Sequence, residues 1–358
     1  MRTAAVAVIA ALTLGVGAAT AATPKRADLG QLARTLVKSG APGAIVYVRT
    51  PTAARAGVAG WADRDAHVSM RAADRFRIAS VTKAFVSVVI LQLEAEGKLD
   101  IDDDLETYLP GLVPNGDTIT LRELLNHTSG LFDYTSDSAF FAAVLSNPSR
   151  LWTPRELLPY AFAHAPVFPP GTNYAYSNTN YILLGLVAEA VTGKPLGQSL
   201  QERIFTPLGL TSTSFPLTID LDVTFVHGYV RLVPGPLTDA TLVLSPSWAW
   251  AAGGIVSNAR DVTTFYRGLL TGKLLRAAQL HEMETPSQNA GTYGLGIDSS
   301  FTVCGRAFGH LGDSTAWRNA VLATANGRRQ AVVMVNADQT SVSWARITAF
   351  AERALCRG

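Results

Sequence analysis

The chain has 358 residues, of which 48% are hydrophobic and 16% charged. Disorder requires low hydrophobicity and high net charge, so a disordered chain is excluded. Lys and Arg number 30 against 28 Asp and Glu, a net charge of +2, which excludes a nucleic-acid binder driven by bulk charge. Two cysteines are too few for a disulfide-rich scaffold or a cysteine zinc finger.

Arg2 is followed by an uncharged stretch from Thr3 to Thr23 that ends in small residues, Ala19-Thr20-Ala21 among them. A basic start, a short apolar core and an Ala-x-Ala site describe a secretory signal peptide over residues 1–22. Its removal leaves an exported chain from residue 23, secreted or extracellular, with no stable membrane insertion. A membrane anchor is the alternative, although Ala, Thr and Gly make the stretch weakly hydrophobic. In an oxidising compartment Cys304 and Cys356 are a disulfide candidate closing a loop of about 50 residues, with two buried thiols as the alternative.

Asp28 reads as an N-cap for a helix carrying Leu29, Leu32, Leu36 and Val37 on one face, stopped by Gly40. Residues 43–49 and 53–61 read as paired strands. Residues 80–96 are helical and apolar almost all round, so that helix must be buried. Capping boxes begin helices at Thr120 and Thr153, and residues 178–192 form another apolar helix ended by Gly193. Beyond Ser245 the pattern turns to strands, including 302–308, with Asn326-Gly327 as a hairpin turn. The C-terminus returns to helix. The order predicts an α+β fold, an antiparallel sheet flanked by N- and C-terminal helices with a mostly helical domain inserted. The α/β part covers about 23–80 and 245–358, the helical part about 81–244.

Common nucleotide, dinucleotide and zinc motifs are missing, the six histidines are scattered, and no cofactor or metal is expected. Three short motifs carry chemistry. Ser80-Val81-Thr82-Lys83 puts a hydroxyl and an amine on one helical face, where the amine can activate the hydroxyl. A capping serine with a snorkelling lysine is the plain alternative. Tyr176-Ser177-Asn178 offers a phenol, whose phenolate a neighbouring ammonium makes accessible, and an amide suited to a substrate's peptide bond. His310-Leu311-Gly312 offers a cation or hydrogen-bonding edge and a glycine for close approach. Taken singly, the second and third motifs read as a turn or a strand end.

Together, S-x-x-K, Y-x-N and [KH]-x-G in this order resemble the penicillin-recognising serine hydrolases. Residues 125–131 (LNHTSGL) and 170–178 (PGTNYAYSN) resemble segments of the class C β-lactamase and D,D-peptidase branch. Arg75-Phe76-Arg77, residues 108–112 and the Cys304/Cys356 pair resemble secreted actinomycete D-alanyl-D-alanine carboxypeptidases. The resemblance runs from about Leu29 to Cys356. It implies Ser80 as nucleophile of an acyl-enzyme, with Lys83 and Tyr176 moving the proton and Tyr176 the favoured base. It places Asn178 on the substrate's acyl-side amide and the Ser80 and Asp313 N–H groups in the oxyanion hole. Substrate contacts are implied for His310 and Gly312, and Trp248 lines the cleft or sits in the core.

One departure bears on substrate. The carboxypeptidases have threonine where Leu311 stands and an arginine on the preceding strand, and residues 296–300 carry none. Leucine cannot bond a carboxylate, and Asp313 repels one. The expected activity is a D-alanyl-D-alanine carboxypeptidase type of serine peptidase. The alternatives are an esterase, a D-amino-acid amidase or aminopeptidase, a β-lactamase, or a penicillin-binding protein that acylates without useful turnover. Expected partners are a small peptide, ester or β-lactam, cell-wall peptide among them, bound by a monomer.

Overall fold

The computed structural model describes residues 26–219, 224–231, 235–242, 245–338 and 341–358. The expected signal peptide, residues 1–22, lies outside them. Helix α1 (Leu29–Lys38) begins where the Asp28 side chain accepts the Gln31 N–H, and it buries Leu29, Leu32, Ala33 and Leu36. The strands of the main sheet are β1 (Gly43–Arg49), β2 (Ala54–Asp63), β3 (Val68–Ser69), β4 (Asp298–Thr302), β5 (Gly305–Asp313), β6 (Arg318–Thr324) and β7 (Gln330–Val335).

Their order is β3-β2-β1-β7-β6-β5-β4, antiparallel throughout. The first strand thus pairs with the last, which closes the fold around the central insertion. Strand β1 is buried on both faces. Ala44, Val46 and Val48 share a cluster with α1 and the terminal helix α5 (Trp344–Arg357). Ile45 and Tyr47 point the other way into the larger core. There α4 (Ala259–Leu270) packs under the sheet, and α2 (Thr82–Ala95) packs against α3 (Asn178–Thr192). Phe85, Val88, Val89, Leu91 and Leu93 of α2 are all buried, as a helix apolar on every side requires.

Two features differ from the sequence reading. After Ser245 the chain forms short helical turns over Pro246–Trp248 and Trp250–Gly253 and a two-residue strand, Val256–Ser257, paired with Phe76–Arg77, then α4 and a helix over Ala277–Glu284, and reaches the main sheet only at Asp298. Val262, Phe265, Tyr266 and Leu269 recur at helical spacing, and the Asn258 side chain caps the Asp261 N–H. Residues 302–308 are also not one strand. They bend between β4 and β5, where Gly305 takes φ 110°. Cys304 at this bend is disulfide-bonded to Cys356 of α5, 52 positions on, with the Cα atoms 5.4 Å apart. Asn326-Gly327 does turn β6 into β7, with Gly327 at φ 63°.

Candidate active site

Ser80 lies in a 3₁₀ turn, Ala79–Val81, that leads directly into α2. The turn is pinned from behind, since the Ile78 N–H donates to the Ile255 carbonyl at 3.0 Å. Ala79 takes φ 50°, the left-handed region that L-residues avoid. A backbone held there costs on the order of 1–3 kcal/mol and persists only where the surroundings enforce it. Gly312 of β5 is part of that enforcement. A Cβ at Gly312 would stand 2.2 Å from the Ile78 oxygen, so glycine lets the strand close on the Ser80 turn.

Lys83 is wholly buried one turn along. Its Nζ stands 3.1 Å from Ser80 Oγ, 2.7 Å from Asn178 Oδ1 and 2.8 Å from the Ala252 carbonyl oxygen. Burial pulls its pKa down to about 7, and the Asp133 carboxylate works weakly against that. The Asn178 amide is fixed at both ends. Its oxygen faces Lys83, while its Nδ2 donates to Asp133 at 3.1 Å and to Thr135 at 3.1 Å. An ammonium or amine N–H needs an acceptor and a carboxylate needs a donor, so only this orientation satisfies both neighbours. The expectation that Asn178 grips a substrate amide meets an amide group whose two N–H bonds are already engaged.

The Tyr176 ring lies over Lys83, with Nζ 4.7 Å from the ring centroid. Its hydroxyl is buried without an aligned hydrogen bond, and burial raises the phenol well above its ordinary value of 10 although the Ser80 hydroxyl acts in the other direction. The loop carrying Tyr176 is zipped onto the segment around His127. Gly171 N–H donates to Thr128 O, Ala175 N–H to His127 O, and Ser177 N–H to His127 Nδ1 at 3.2 Å. The two segments quoted above for the family resemblance therefore hold each other. His127 is buried, stands 4.2 Å from the Tyr176 ring centroid, and takes φ 64°. Desolvation holds its pKa well below 6.5, so the ring is neutral.

His310 is also buried. Its Nδ1 lies against the Leu311 carbonyl and its Nε2 is 2.8 Å from the Tyr293 hydroxyl. A carbonyl only accepts, so Nδ1 carries the hydrogen and Tyr293 donates to Nε2. Burial first, and Lys83 second, pull the His310 pKa down to about 3. The expected cation is absent at neutral pH, and the hydrogen-bonding role alone fits. His127, Asp133, Tyr181 and Tyr293 were not singled out in the sequence. His127 and Asp133 stand in or beside the LNHTSGL segment, which was read only for its likeness.

In front of Ser80 lies a cleft of about 180 Å³, lined by Tyr134, Phe141, Asn178, Trp248, Asp313 and Thr315 among others. Trp248 stands in that wall, and Tyr134 donates to its carbonyl at 2.6 Å. One side of the cleft is the uncovered end of β5. Strand β4 pairs with β5 only as far as Gly309. Ser314 N–H donates to Trp317 O, so the alternation of antiparallel pairing turns the Asp313 N–H away from β6 towards that open edge. The Asp313 carboxyl is 41% exposed, yet its pKa is raised by local desolvation. Arg306 of β5 and Arg318 of β6 are arginines of the strands beside this wall. Arg318 is fully buried, 3.3 Å from Asp313, and lies over the Trp344 ring. Arg306 lies over Phe308 and donates to the Glu284 carbonyl. Neither lines the cleft. Among the described residues no trio of His, Cys, Asp or Glu is arranged to hold a metal ion.

The β-lactamase family matches residues 29–354, a span that contains every residue of this site. This chain belongs to the β-lactamase family. A Bacillus subtilis protein named as a penicillin-binding protein is 32% identical over 238 residues, 66% of this chain and 57% of that protein. An Escherichia coli protein named as a D-alanyl-D-alanine carboxypeptidase is 28% identical over 253 residues, 62% of this chain and 58% of the other. The matched stretch thus spans little more than half the length of these curated relatives. Among solved structures, a D-stereospecific amidohydrolase from Streptomyces superposes with TM-score 0.84 at 38% identity, covering 91% of this chain and 98% of that one. A D-amino acid amidase from Ochrobactrum anthropi gives 0.80 at 27% identity, covering 91% and 96%.

Proposed function

We propose that this β-lactamase-family protein is a serine hydrolase that acylates Ser80 and acts on amides or esters of D-amino acids. The reading rests on one observation. The described residues that line the cleft before Ser80 include an anion, Asp313, and no cation, while an amine of lowered pKa touches the Ser80 hydroxyl from behind. A substrate ending in a free carboxylate finds repulsion there. An amide, an ester or a free amine does not. The amidohydrolase and amidase superpositions lean the same way.

A neutral Lys83 has two N–H bonds and one lone pair. Asn178 Oδ1 and the Ala252 carbonyl take the hydrogens, which leaves the lone pair facing Ser80. Ser80 Oγ attacks the substrate carbonyl as its proton passes to Lys83 Nζ. The Ser80 and Asp313 N–H groups receive the oxyanion. The ammonium formed on Lys83 meets the Tyr176 ring face and the distant Asp133 carboxylate, which stabilise it. Collapse expels the leaving amine or alcohol, which takes that proton. Water then attacks the acyl-enzyme, gives its proton to Lys83, and Ser80 leaves reprotonated.

This reverses the expected order of bases. A buried phenol of raised pKa is the poorer acceptor, so Lys83 serves as the base and Tyr176 as its cation-binding face. Export of the mature chain and action as a monomer belong to the same proposal.

The deciding assay compares a D-amino-acid amide with a peptide ending in free D-Ala-D-Ala. We expect the amide to be turned over at least tenfold faster in kcat/KM. Faster hydrolysis of the free acid would restore the carboxypeptidase reading. A labelled penicillin that acylates and stays would point to a penicillin-binding role, and Ser80→Ala must abolish that label.

A further inference from the structure

The sheet's other end carries arginines that the catalytic account leaves unused. Arg49, Arg260 and Arg267 line a cavity of about 460 Å³ with the turn Thr50-Pro51-Thr52 on its rim. A second cavity of about 460 Å³ shares Thr50, Pro51 and Thr52 and is lined by Arg26, Arg329 and Arg357. Arg55 lies close enough to Arg26 and Arg329 for their charges to repel it. Seven guanidinium groups therefore surround one short turn, in a chain with a net charge of only +2.

Their counter-charges are sparse. Among the described residues, none of Arg49, Arg55, Arg260 and Arg267 has a carboxylate within ion-pair distance. Arg49 donates to Thr264 Oγ1 at 2.7 Å, and Arg329 donates to the Leu355 carbonyl and to the α-carboxylate of Gly358, a counter-charge on the second cavity. Among the described residues, two nitrogens of Arg55, Nε and Nη2, are shut off from solvent and find no partner. The acid on the first cavity, Asp261, is buried, and its Oδ2 is taken by the Ser212 N–H and the Thr213 hydroxyl. Clustered like charge destabilises the free protein, and a bound anion lowers that cost. The mutual repulsion also shows in Arg49, whose pKa is lowered by desolvation first and then by Arg267 and Arg260.

The patch is remote from Ser80. The register runs Arg49–Gln330–Ala323–Phe308 across one line of the sheet and Ala44–Val335–Arg318–Asp313 across another. Five residues of strand separate the two lines, roughly 17 Å. A ligand on the arginines is thus not a substrate in the cleft.

We propose that this face binds a linear phosphodiester polymer and so anchors the enzyme on a polyanionic surface. Two arginine groups on either side of one turn suit an extended ligand better than a single ion. Among the described residues that line the two cavities, Tyr47 is the one aromatic and it is buried, so no exposed ring is offered for base stacking. A polymer without bases fits better than a single-stranded nucleic acid.

The test uses the full chain and fluorescently labelled poly(glycerol phosphate), with oligothymidine of matched charge and inorganic phosphate as comparison probes. We expect binding that weakens steeply with salt. The triple variant Arg49→Gln/Arg260→Gln/Arg267→Gln should lose about tenfold or more in affinity and flatten the log–log salt slope by roughly 2–3, at about 0.7–0.9 per phosphate contact. Its turnover of a small amide should match the parent, which shows that it is folded. If the triple variant fails to fold, Arg260→Gln/Arg267→Gln, both at exposed positions, should show part of the same loss. Absence of binding by the parent, equal binding by the variants, or equally tight binding of oligothymidine would overturn the proposal. Saturation by inorganic phosphate that the polymer cannot displace would also overturn it, in favour of a single-ion pocket.

Discussion

Lys83 and Asn178, 95 positions apart in sequence, are locked together at 2.7 Å, and the far end of the same amide is held by Asp133. The carboxylate thus reaches the amine through one side chain. Asp133 raises the Lys83 pKa, so Asp133→Asn should lower it below its present value of about 7. The acid limb of the kcat/KM profile for acylation should then move to lower pH. An unmoved limb would mean that Asp133 has no electrostatic hold on the base.

In the parent protein the same limb should lie near pH 7, with activity rising as Lys83 loses its proton. Stability should follow a linked course. Below about pH 7 the lysine is charged in both folded and unfolded chains, and above its ordinary 10.5 it is neutral in both. Between those values the unfolded chain holds a proton that the folded chain has released, so stability rises with pH across that window. Lys83→Met removes the buried charge, and should cut acylation by about 10²–10⁴-fold while raising the melting temperature at pH 6. A variant that melts lower at pH 6 would show that the charged lysine supports the fold.

Much of this is legible in the sequence. The apolar helices, the N-cap at Asp28, the Asn-Gly turn and the sheet built from both chain ends all leave local marks in periodicity and capping chemistry. The hairpin at Val303-Cys304 left none, because alternation carries through it and the turn lacks an Asn-Gly or Asp-Gly pair. In the site, Ser80, Lys83 and Asn178 follow from motif spacing. The neutrality of His310 does not, since it comes from burial and from Lys83, which lies far away in sequence. Asp133 and His127 escaped for the same reason, as their roles exist only where the segments around 127–133 and 171–178 meet.

His127 gives a direct check on that meeting. Its Nδ1 accepts the buried Ser177 N–H, and leaving that donor unsatisfied costs about 1–3 kcal/mol. His127→Phe should lose that stability, and kcat should fall about tenfold or more as Tyr176 shifts beside it. His127→Asn puts an amide oxygen close to the place of Nδ1, and should recover most of kcat despite its smaller size. Equal damage from both substitutions would assign His127 to ring packing alone.

The Cys304–Cys356 bond fastens the β4–β5 bend to α5, well away from Ser80 in sequence. Closing a loop of this size constrains the unfolded chain by roughly 4 kcal/mol. Cys304→Ser/Cys356→Ser should therefore lower the urea midpoint by a matching amount while kcat stays within about twofold. A large fall in kcat with little loss of stability would tie the bend to catalysis instead.

Asp313 tests the choice of substrate. Its carboxyl stands on the cleft wall while its backbone N–H faces the open edge, so a side-chain change leaves the proposed oxyanion donor in place. Asp313→Asn removes the negative charge at nearly constant shape. Turnover of a free D-Ala-D-Ala peptide should rise relative to the matching amide, by about tenfold for each 1.4 kcal/mol of repulsion removed. The substitution also deprives Arg318 of its ion-pair partner 3.3 Å away, so the melting temperature should fall, and the substrate ratio is the quantity to read. Leu311→Thr adds a hydroxyl on the same strand and, combined with Asp313→Asn, should shift the ratio further in the same direction. If neither change moves it, charge on this wall does not select the substrate, and the preference must arise from the aromatic side formed by Tyr134, Phe141 and Trp248.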